Sequence, residues 1–344
     1  MKRNQPLDIL RGIAILLVIG VHYYYFRLWW QIGQTGVDLF FVLSGFLISG
    51  LLFDEFKRRG KIDVKRFWVR RGFKIYPAFY VLIFLTTLSG AELHRLNLHR
   101  LWPELFFMQD YFRPIWYHTW SLAVEEHFYF ALPIALILLV KFSASRDDPF
   151  IWVPWIFVVL SVGCLLLRCV ESLHGVGPNA LRQETHLRID SLFAGVLLGY
   201  WYHFRQNVFK RLASRLLVFI GFACLLPTAF CNPDGRFMDT AGLTLVYVGY
   251  GLILANCIGL PESKNFVARS VAWIGKYSYS IYLWHVPILF VLSRGRISLR
   301  LLLGGGTISI LFGALVSKLV EIPAIQIRDK LFPAKSRPPV LARP

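Results

Sequence analysis

Charged residues are scarce in this sequence: Asp, Glu, Lys and Arg together make up 17% of its 344 residues. Hydrophobic residues make up 56%, and the mean hydropathy is +0.52. A water-soluble protein of this length needs far more polar residues to cover its surface, so the composition excludes a soluble globular protein. The apolar residues also run continuously rather than alternating, which excludes a transmembrane β-barrel.

The sequence also lacks a Pro-, Gly- and Ser-rich linker, an internal repeat and any Cys-x-x-Cys pair. We therefore expect one membrane domain over residues 1–325, followed by a basic, Pro-rich cytoplasmic tail over residues 326–344. The few cysteines lie in or beside apolar segments, where packing between helices is a more usual role than a disulfide or a metal ligand. They are Cys164, Cys169, Cys224, Cys231 and Cys257.

Ten apolar segments are long enough, with their flanks, to cross a bilayer as helices of about 20 residues. The first begins with Lys2 and Arg3 but is followed by no small-residue cleavage site, so we interpret it as a span and not as a signal peptide. The sequence therefore predicts an all-α polytopic membrane protein with about ten transmembrane helices. The segments lie near residues 9–28, 36–53, 74–91, 120–140, 150–168, 187–203, 215–231, 240–259, 273–293 and 301–320.

Lys and Arg outnumber Asp and Glu by 38 to 20, a formal net charge of +18. The basic residues concentrate in the two tails and in alternate gaps between the apolar segments. The positive-inside rule gives this distribution when both termini are cytoplasmic. A large positive charge also occurs in nucleic-acid-binding proteins, but the alternation favours membrane topology, and we expect no nucleic-acid partner.

One cytoplasmic loop carries more charge than topology needs. Residues 54–74 contain nine basic and three acidic residues, a net charge of 9 − 3 = +6. Contact with anionic lipid headgroups would explain this excess. A site for a phosphorylated ligand is the alternative, because Arg71 and Lys74 lie three residues apart at a predicted helix start and could hold phosphate groups from one side.

The first apolar segment places three ionisable residues on one face of a helix. Arg11 and His22 are eleven residues apart, about three helical turns, and Asp8 precedes Arg11 by three positions. At about 1.5 Å per residue, His22 lies roughly 16 Å deeper than Arg11. An ionisable residue at such depth is costly and usually faces a polar cavity. A histidine that hydrogen-bonds between helices for packing alone is the alternative.

Polar residues also occur near the outer ends of later segments. Asp38 begins the second segment and is as compatible with a structural role as with a functional one. Ser121 and Glu125 share a face at the start of the fourth segment, next to Trp120. Acidic residues at a helix N-terminus also occur because they complement the helix dipole, which explains one carboxylate better than two.

The sixth and ninth segments add the remaining candidates. Arg188 and Asp190 begin the sixth segment, and we expect them to form an internal ion pair. His285 in the ninth segment lies at a depth similar to that of His22. No compact group of metal-binding residues accompanies the two histidines, so we expect no metal site.

Six motifs occur in an order that resembles the bacterial acyltransferase-3 family of integral membrane acyltransferases. Each motif alone is a weak signal, but all six in the family's order make a specific one. They extend from residue 7 to about residue 325, and so over nearly the whole chain. The motifs are LDILRGIAILLVIGVH, GVDLFFVLSGFLI, FWVRRGFKIYP, WSLAVEEHFYFALP, LRIDSLFAGVLLG and SYSIYLWHVP.

The resemblance implies a ten-helix enzyme in a bacterial cytoplasmic or inner membrane, surrounded by membrane lipids. It would transfer an acyl group, usually acetyl, from cytoplasmic acyl-CoA, with acetyl-CoA as a co-substrate and no permanently bound cofactor. The acceptor would be a hydroxyl group of a carbohydrate or glycosylated molecule, such as a cell-envelope polysaccharide. Many relatives carry a fused extracytoplasmic hydrolase-like domain, which we do not expect in this chain.

A polytopic membrane transporter is the alternative function, because His and Asp residues in mid-membrane also mark transport paths. The absent repeat and the strongly basic loop weigh against it.

The family's final span usually ends in Glu-Arg-Pro, where this chain has Glu321-Ile322-Pro323.

The resemblance also assigns roles to the polar residues. His22 would be the base or the acyl carrier, with Arg11 and Glu125 as further catalytic residues. Lys74 replaces the family's second arginine and keeps its charge without its bidentate geometry. The residues expected to bind CoA are Arg11, Arg70, Arg71 and Lys74. Those expected to bind the acceptor or support the site are Asp8, Asp38, Trp120, Ser121, Arg188, Asp190 and His285, with Asp38, Glu125 and Asp190 near the outer face.

Overall fold

A computed structural model of the protein describes residues 4–23, 26–88, 98–143, 145, 148–293 and 298–332. These residues form helices joined mostly by short turns, and they contain no strand. The prediction of an all-α protein is therefore confirmed. The expected tail over residues 326–344 begins inside the last helix, and its residues 333–344 lie outside the described part of the chain.

Sixteen α-helices follow one another in the described ranges. Three short π-helical segments, Met238–Gly242, Leu301–Gly305 and Ser317–Glu321, continue into α-helices, and the 3₁₀ turn Tyr117–Thr119 precedes another. The helices are α1 (Gln5–Tyr23), α2 (Arg27–Gly33), α3 (Gly36–Arg59), α4 (Val64–Leu88), α5 (Leu98–Leu105), α6 (Trp120–Phe142), α7 (Val153–Leu173), α8 (Pro178–Gln183), α9 (Thr185–Phe204), α10 (Gln206–Leu212), α11 (Arg215–Phe230), α12 (Leu243–Cys257), α13 (Phe266–Lys276), α14 (Ser278–Ser293), α15 (Gly306–Val316) and α16 (Ile322–Leu331).

Each of the ten predicted spans coincides with one or more of these helices. By length and composition, six helical segments of the described residues can cross a membrane, and a seventh can if α10 and α11, which meet at a bend of 62°, form one span. The chain is therefore a multi-pass membrane protein, whereas the count of ten and the cytoplasmic termini remain predictions. The six segments are Gln5–Tyr23, Arg27–Arg59, Tyr117–Phe142, Val153–Leu173, Met238–Cys257 and Leu301–Leu331.

Helix α1 runs through the interior, packed against α3, α13 and α14. Glycines allow its neighbours to approach closely: a Cβ atom at Gly275 of α13 would lie 1.8 Å from the carbonyl oxygen of Asp8. Small residues at such contacts are common in membrane proteins because they let helix backbones meet. The tight packing fixes α1, which carries both Arg11 and His22.

Helices α3 and α9 also touch through glycines. A Cβ atom at Gly195 would lie 2.2 Å from the carbonyl oxygen of Val42, and one at Gly45 would lie 1.8 Å from that of Leu192. These distances are far below van der Waals contact, so the two helices can approach this closely only because both positions lack a side chain. The contact fixes the relative position of Asp38 on α3 and Arg188 on α9.

We expect Gly195→Ala to lower the thermal stability of the purified protein in detergent, because the new methyl group must push α3 and α9 apart. Gly163→Ala in α7 is the matched control, since a Cβ atom there meets no atom within 4 Å. Alanine is more favourable than glycine inside a helix by about 0.5–1 kcal/mol, so the control should be neutral or slightly stabilising. Equal melting temperatures for the two variants would contradict the close α3–α9 contact.

Candidate active site

Two cavities meet inside the helix bundle. The first, here called the basic cavity, has a volume of about 110 Å³, and the second, here called the histidine cavity, has a volume of about 240 Å³. Val37 of α3 and Tyr282 of α14 line both of them. Residues near the start of α1 and α4 line the basic cavity, and residues near the end of α1 and the start of α9 line the histidine cavity, so the two lie towards opposite ends of the bundle.

The basic cavity holds more positive than negative charge. Four cationic side chains from α1, α4 and α13 face two carboxylates, Glu125 and Glu321. Asp8 forms a salt bridge with Arg11 at 3.5 Å, between the first and second turns of α1. The cations are Arg11, Arg71, Lys74 and Lys276. The structure thus brings together three of the four residues predicted to bind CoA.

A tyrosine connects Arg71 to Glu125. The Arg71 guanidinium lies 4.1 Å from the ring centroid of Tyr129 and donates a hydrogen bond to its hydroxyl. That hydroxyl donates to Glu125 at 2.9 Å, and Ser44 donates to the same carboxylate at 2.7 Å. These contacts fix both charged groups at the wall of the basic cavity without a direct ion pair between them.

The sequence placed Glu125 near the outer face together with Asp38 and Asp190. In the structure Glu125 lies apart from both of them. It lies five residues into α6, roughly 7.5 Å beyond the start of that helix, which places it in the basic cavity. Asp38 lines the histidine cavity, and Asp190 lines neither cavity. Ser121 lines the basic cavity, whereas the adjacent Trp120 lines the histidine cavity.

Arg70 is the one predicted CoA-binding residue that does not line the basic cavity. Its side chain instead pairs with Asp329 of α16 at 3.0 Å and donates to the carbonyl oxygen of Phe332. Consecutive residues of an α-helix point about 100° apart, and here Arg71 faces the cavity while Arg70 is turned towards α16. Arg70 therefore connects α4 to α16.

His22 lines the histidine cavity and contacts His285 of α14. Nδ1 of His22 lies 2.9 Å from the carbonyl oxygen of Val18 and 3.0 Å from Nε2 of His285. Nδ1 of His285 lies 2.6 Å from the carbonyl oxygen of Tyr282. The sequence placed these two histidines at a similar depth, and the structure brings them into contact.

The carbonyl contacts determine which ring nitrogens carry protons. A carbonyl oxygen only accepts hydrogen bonds, so Nδ1 of His22 and Nδ1 of His285 must both be donors. Nε2 of neutral His285 is then an acceptor, and it receives the shared Nδ1–H of His22. Nε2 of neutral His22 is left with a lone pair and no proton, which is the form of imidazole that acts as a base or nucleophile.

A third histidine, His118, was missed by the sequence reasoning. It is buried beside His285 with 5.1 Å between ring centroids, and its Nε2 donates to the carbonyl oxygen of Leu283 at 3.2 Å. Its neighbour Tyr117 lies 5.6 Å from the His22 ring. Both belong to the 3₁₀ turn before α6, outside the periodic pattern of an apolar segment, and so no helical spacing linked them to His22.

Glu104 holds that turn in place. Its buried carboxylate accepts hydrogen bonds from the backbone N–H of Trp116 at 3.0 Å and from the Thr119 hydroxyl. Glu104 thereby fixes the turn from α5, while His118 contacts α14.

The expected ion pair between Arg188 and Asp190 is wrong. Arg188 pairs with Asp38 of α3, and Asp190 pairs with Arg168 of α7 at 2.9 Å. Residues two apart on a helix point in nearly opposite directions, which excludes a direct contact between them. The sequence reasoning missed Arg168, although an arginine at the end of an apolar segment was a signal for a buried partner.

The rest of the histidine cavity combines apolar side chains with paired charges and neutral polar groups. Asp38 and Arg188 neutralise each other, and Arg182 donates to Asp239 at 2.6 Å and to the Gln34 amide at 3.0 Å. The remaining polar groups are amides, hydroxyls and aromatic rings. They belong to Gln31, Gln34, Thr35, Tyr117, Trp120, Asn179, Gln183 and Thr228.

One group of potential metal ligands occurs among the described residues, and it lies outside both cavities. Atoms of Glu171, Glu184 and His186 come within 4.8 Å of one another. His186 is an exposed residue and also stacks on Tyr111. This group is separate from the histidines that line or support the cavities.

Comparisons with known proteins give a family. Residues 4–319 match a family model described as an acyltransferase domain. The peptidoglycan O-acetyltransferase OatA of Listeria monocytogenes is 30% identical over 319 residues, which cover 84% of this chain and 50% of the relative. A putative O-acetyltransferase of Staphylococcus aureus is 30% identical over 353 residues, covering 94% and 57%. The putative peptidoglycan O-acetyltransferase YrhL of Bacillus subtilis is 30% identical over 311 residues, covering 82% and 48%.

The chain spans about half the length of the curated relatives it matches. No solved structure gives a significant match. The family model nevertheless covers nearly all of the sequence, including every residue that lines the two cavities except Glu321. The chain therefore belongs to the acyltransferase-3 family of membrane acyltransferases.

Proposed function

We propose that this protein transfers an acetyl group from acetyl-CoA, bound at the basic cavity, to a hydroxyl group of a cell-envelope carbohydrate in the histidine cavity. The observation that carries this proposal is that the two cavities meet at Tyr282 and Val37. One offers positive charge for a phosphorylated donor, and the other offers a neutral imidazole and uncharged polar groups for an acceptor. The relatives named O-acetyltransferases support acetyl as the group transferred.

The charge of the basic cavity supports a phosphorylated donor. Arg11, Arg71, Lys74 and Lys276 exceed the two carboxylates that share the cavity. Arginine and lysine bind phosphate through charge-assisted hydrogen bonds, which are about twice as strong as neutral ones. The CoA phosphates would lie at this end of the bundle, on the side predicted to be cytoplasmic, and the pantetheine arm would extend towards Tyr282.

The protonation state of His22 supports it as the general base. Nε2 of His22 would take the proton of the acceptor hydroxyl while the hydroxyl oxygen attacks the carbonyl carbon of the thioester. A C–O bond forms, the C–S bond breaks, and the proton passes to the CoA thiolate. During the step, the positive charge on His22 would be shared with His285 through the Nδ1–H bond, in a position where many acyltransferring enzymes use a carboxylate.

The lining of the histidine cavity supports a carbohydrate acceptor. Amides and hydroxyls match the donors and acceptors of sugar hydroxyls, and aromatic rings such as those of Tyr117 and Trp120 suit the apolar faces of sugar rings. The cationic residues of this cavity are already paired with Asp38 and Asp239, which favours an uncharged sugar unit. Peptidoglycan, named for two of the relatives, is an envelope carbohydrate of this general kind.

Arg71→Gln should weaken acetyl-CoA binding, whereas Arg70→Gln should leave the dissociation constant within about twofold of the unmodified protein. One charge-assisted phosphate contact contributes about 1.5–3 kcal/mol, which corresponds to a roughly 10- to 150-fold change in Kd. Arg70 is the matched control because it has the same charge and an adjacent position but pairs with Asp329. Equilibrium binding of labelled acetyl-CoA to the purified protein measures both. Unchanged binding in Arg71→Gln would return this basic segment to a role at lipid headgroups.

His22→Gln should lower kcat by roughly 100- to 10,000-fold while the variant stays folded and binds acetyl-CoA. Glutamine can keep a hydrogen bond to Val18 or His285 but cannot accept the hydroxyl proton. His285→Gln should cause a smaller loss, because an amide oxygen can still accept the Nδ1–H of His22. CoA release in membrane vesicles that contain the native envelope acceptors gives both rates. Near-normal turnover of His22→Gln would contradict base catalysis, and an acetyl adduct on His22 would show transfer through a covalent intermediate.

A further inference from the structure

Tyr282 occupies the boundary between the two cavities. It is buried, with 6% of its surface exposed, and it lines both the basic cavity and the histidine cavity. The only other described residue with this property is Val37, whose side chain is smaller and apolar. Arg11, Arg71 and Glu125 lie on one side of this boundary, and His22 lies on the other.

The hydroxyl of Tyr282 bonds to one residue from each cavity. It donates to the carbonyl oxygen of His118, which lines the histidine cavity, and lies 2.7 Å from Oγ of Ser121, which lines the basic cavity. Because its proton goes to the carbonyl, the tyrosine oxygen accepts from the Ser121 hydroxyl. The ring is further fixed by edge contact with Phe40, at 6.3 Å between centroids.

This position matters because water competes with the acceptor. An acyl thioester that reaches His22 without an acceptor would be attacked by water. The water oxygen bonds to the acyl carbon and the C–S bond breaks; one water proton goes to the CoA thiolate, and the other is released as acetic acid ionises to acetate. Enzymes that carry reactive acyl groups suppress this reaction by excluding water from the site. A ring anchored on both sides of the boundary is suited to that task.

We propose that Tyr282 determines whether the acyl group goes to the acceptor or to water, by closing the passage between the two cavities until the acceptor is bound. Opening requires the exchange of the two neutral hydrogen bonds of the Tyr282 hydroxyl. The proposal rests on the proposed function, since it requires acetyl-CoA in the basic cavity. It makes Tyr282 a specificity-determining residue for that reaction.

The test is hydrolysis of acetyl-CoA by the purified full-length chain with no acceptor added. Tyr282→Ala should raise the rate of joint CoA and acetate release by about tenfold or more, since the barrier to water entry is removed. Tyr282→Phe should lie between this variant and the unmodified protein, because the ring remains but its anchoring bonds are lost. Tyr247→Ala is the matched control: Tyr247 is also buried and hydrogen-bonded to a serine, Ser161, but it lines neither cavity.

Acetyl-CoA binding, measured on the same samples, separates the outcomes. If the unmodified protein does not bind acetyl-CoA, the proposed function fails. If Tyr282→Ala binds acetyl-CoA but its hydrolysis is unchanged, or if both hydrolysis and transfer are lost, the role of Tyr282 as a barrier to water is overturned. If Tyr282→Ala does not fold, Tyr282→Leu provides the same test with less lost volume.

Discussion

The hydrogen bond between Nδ1 of His22 and Nε2 of His285 is the contact on which the account of this site depends. It joins α1 to α14, two helices from opposite ends of the sequence. The carbonyl oxygens of Val18 and Tyr282 fix the direction of the proton, so the lone pair of His22 lies on its other ring nitrogen. Without His285, the His22 ring would keep its contact with the Val18 carbonyl oxygen but lose the neighbour that can share a positive charge on His22.

The buried charges around this pair are arranged so that the histidine cavity stays neutral. A lone charge in the interior of a membrane protein is costly, and ion pairs with additional hydrogen bonds reduce that cost. Arg168 pairs with Asp190 and also donates to the carbonyl oxygen of Leu187 and to Thr244. Arg188 pairs with Asp38 and donates to the carbonyl oxygen of Arg182. These contacts connect α3, α7, α8, α9 and α12.

The basic cavity differs from the histidine cavity, because its lining has more positively than negatively charged side chains. Glu125 accepts its hydrogen bonds from the neutral hydroxyls of Ser44 and Tyr129 and forms no direct ion pair with Arg71. This excess suits the anionic donor proposed above. The family assignment supports an acyltransferase and gives the transporter alternative no support.

Much of the helix pattern and part of the site could be predicted from the sequence. Long apolar runs fix where helices form, and the eleven-residue spacing of Arg11 and His22 follows from helix geometry alone. The partners of Arg70, Arg188 and Asp190 could not be predicted, because they depend on how helices rotate and pack against one another. Glycine contacts such as Gly195 with Val42 decide that packing, and their effect appears only when the two backbones meet. His118 and Glu104 lie outside the predicted spans, so no predicted helix related their positions to the site.

The central claim is that donor and acceptor reach the site from opposite ends of the bundle. The direct test is transfer in sealed proteoliposomes of known protein orientation, with acetyl-labelled acetyl-CoA on one side and envelope carbohydrate fragments either trapped inside or added outside. The account predicts that label appears on fragments opposite the acetyl-CoA, and only when the end of the protein with Arg11 faces the acetyl-CoA. Label found only on fragments that share a compartment with acetyl-CoA would contradict it.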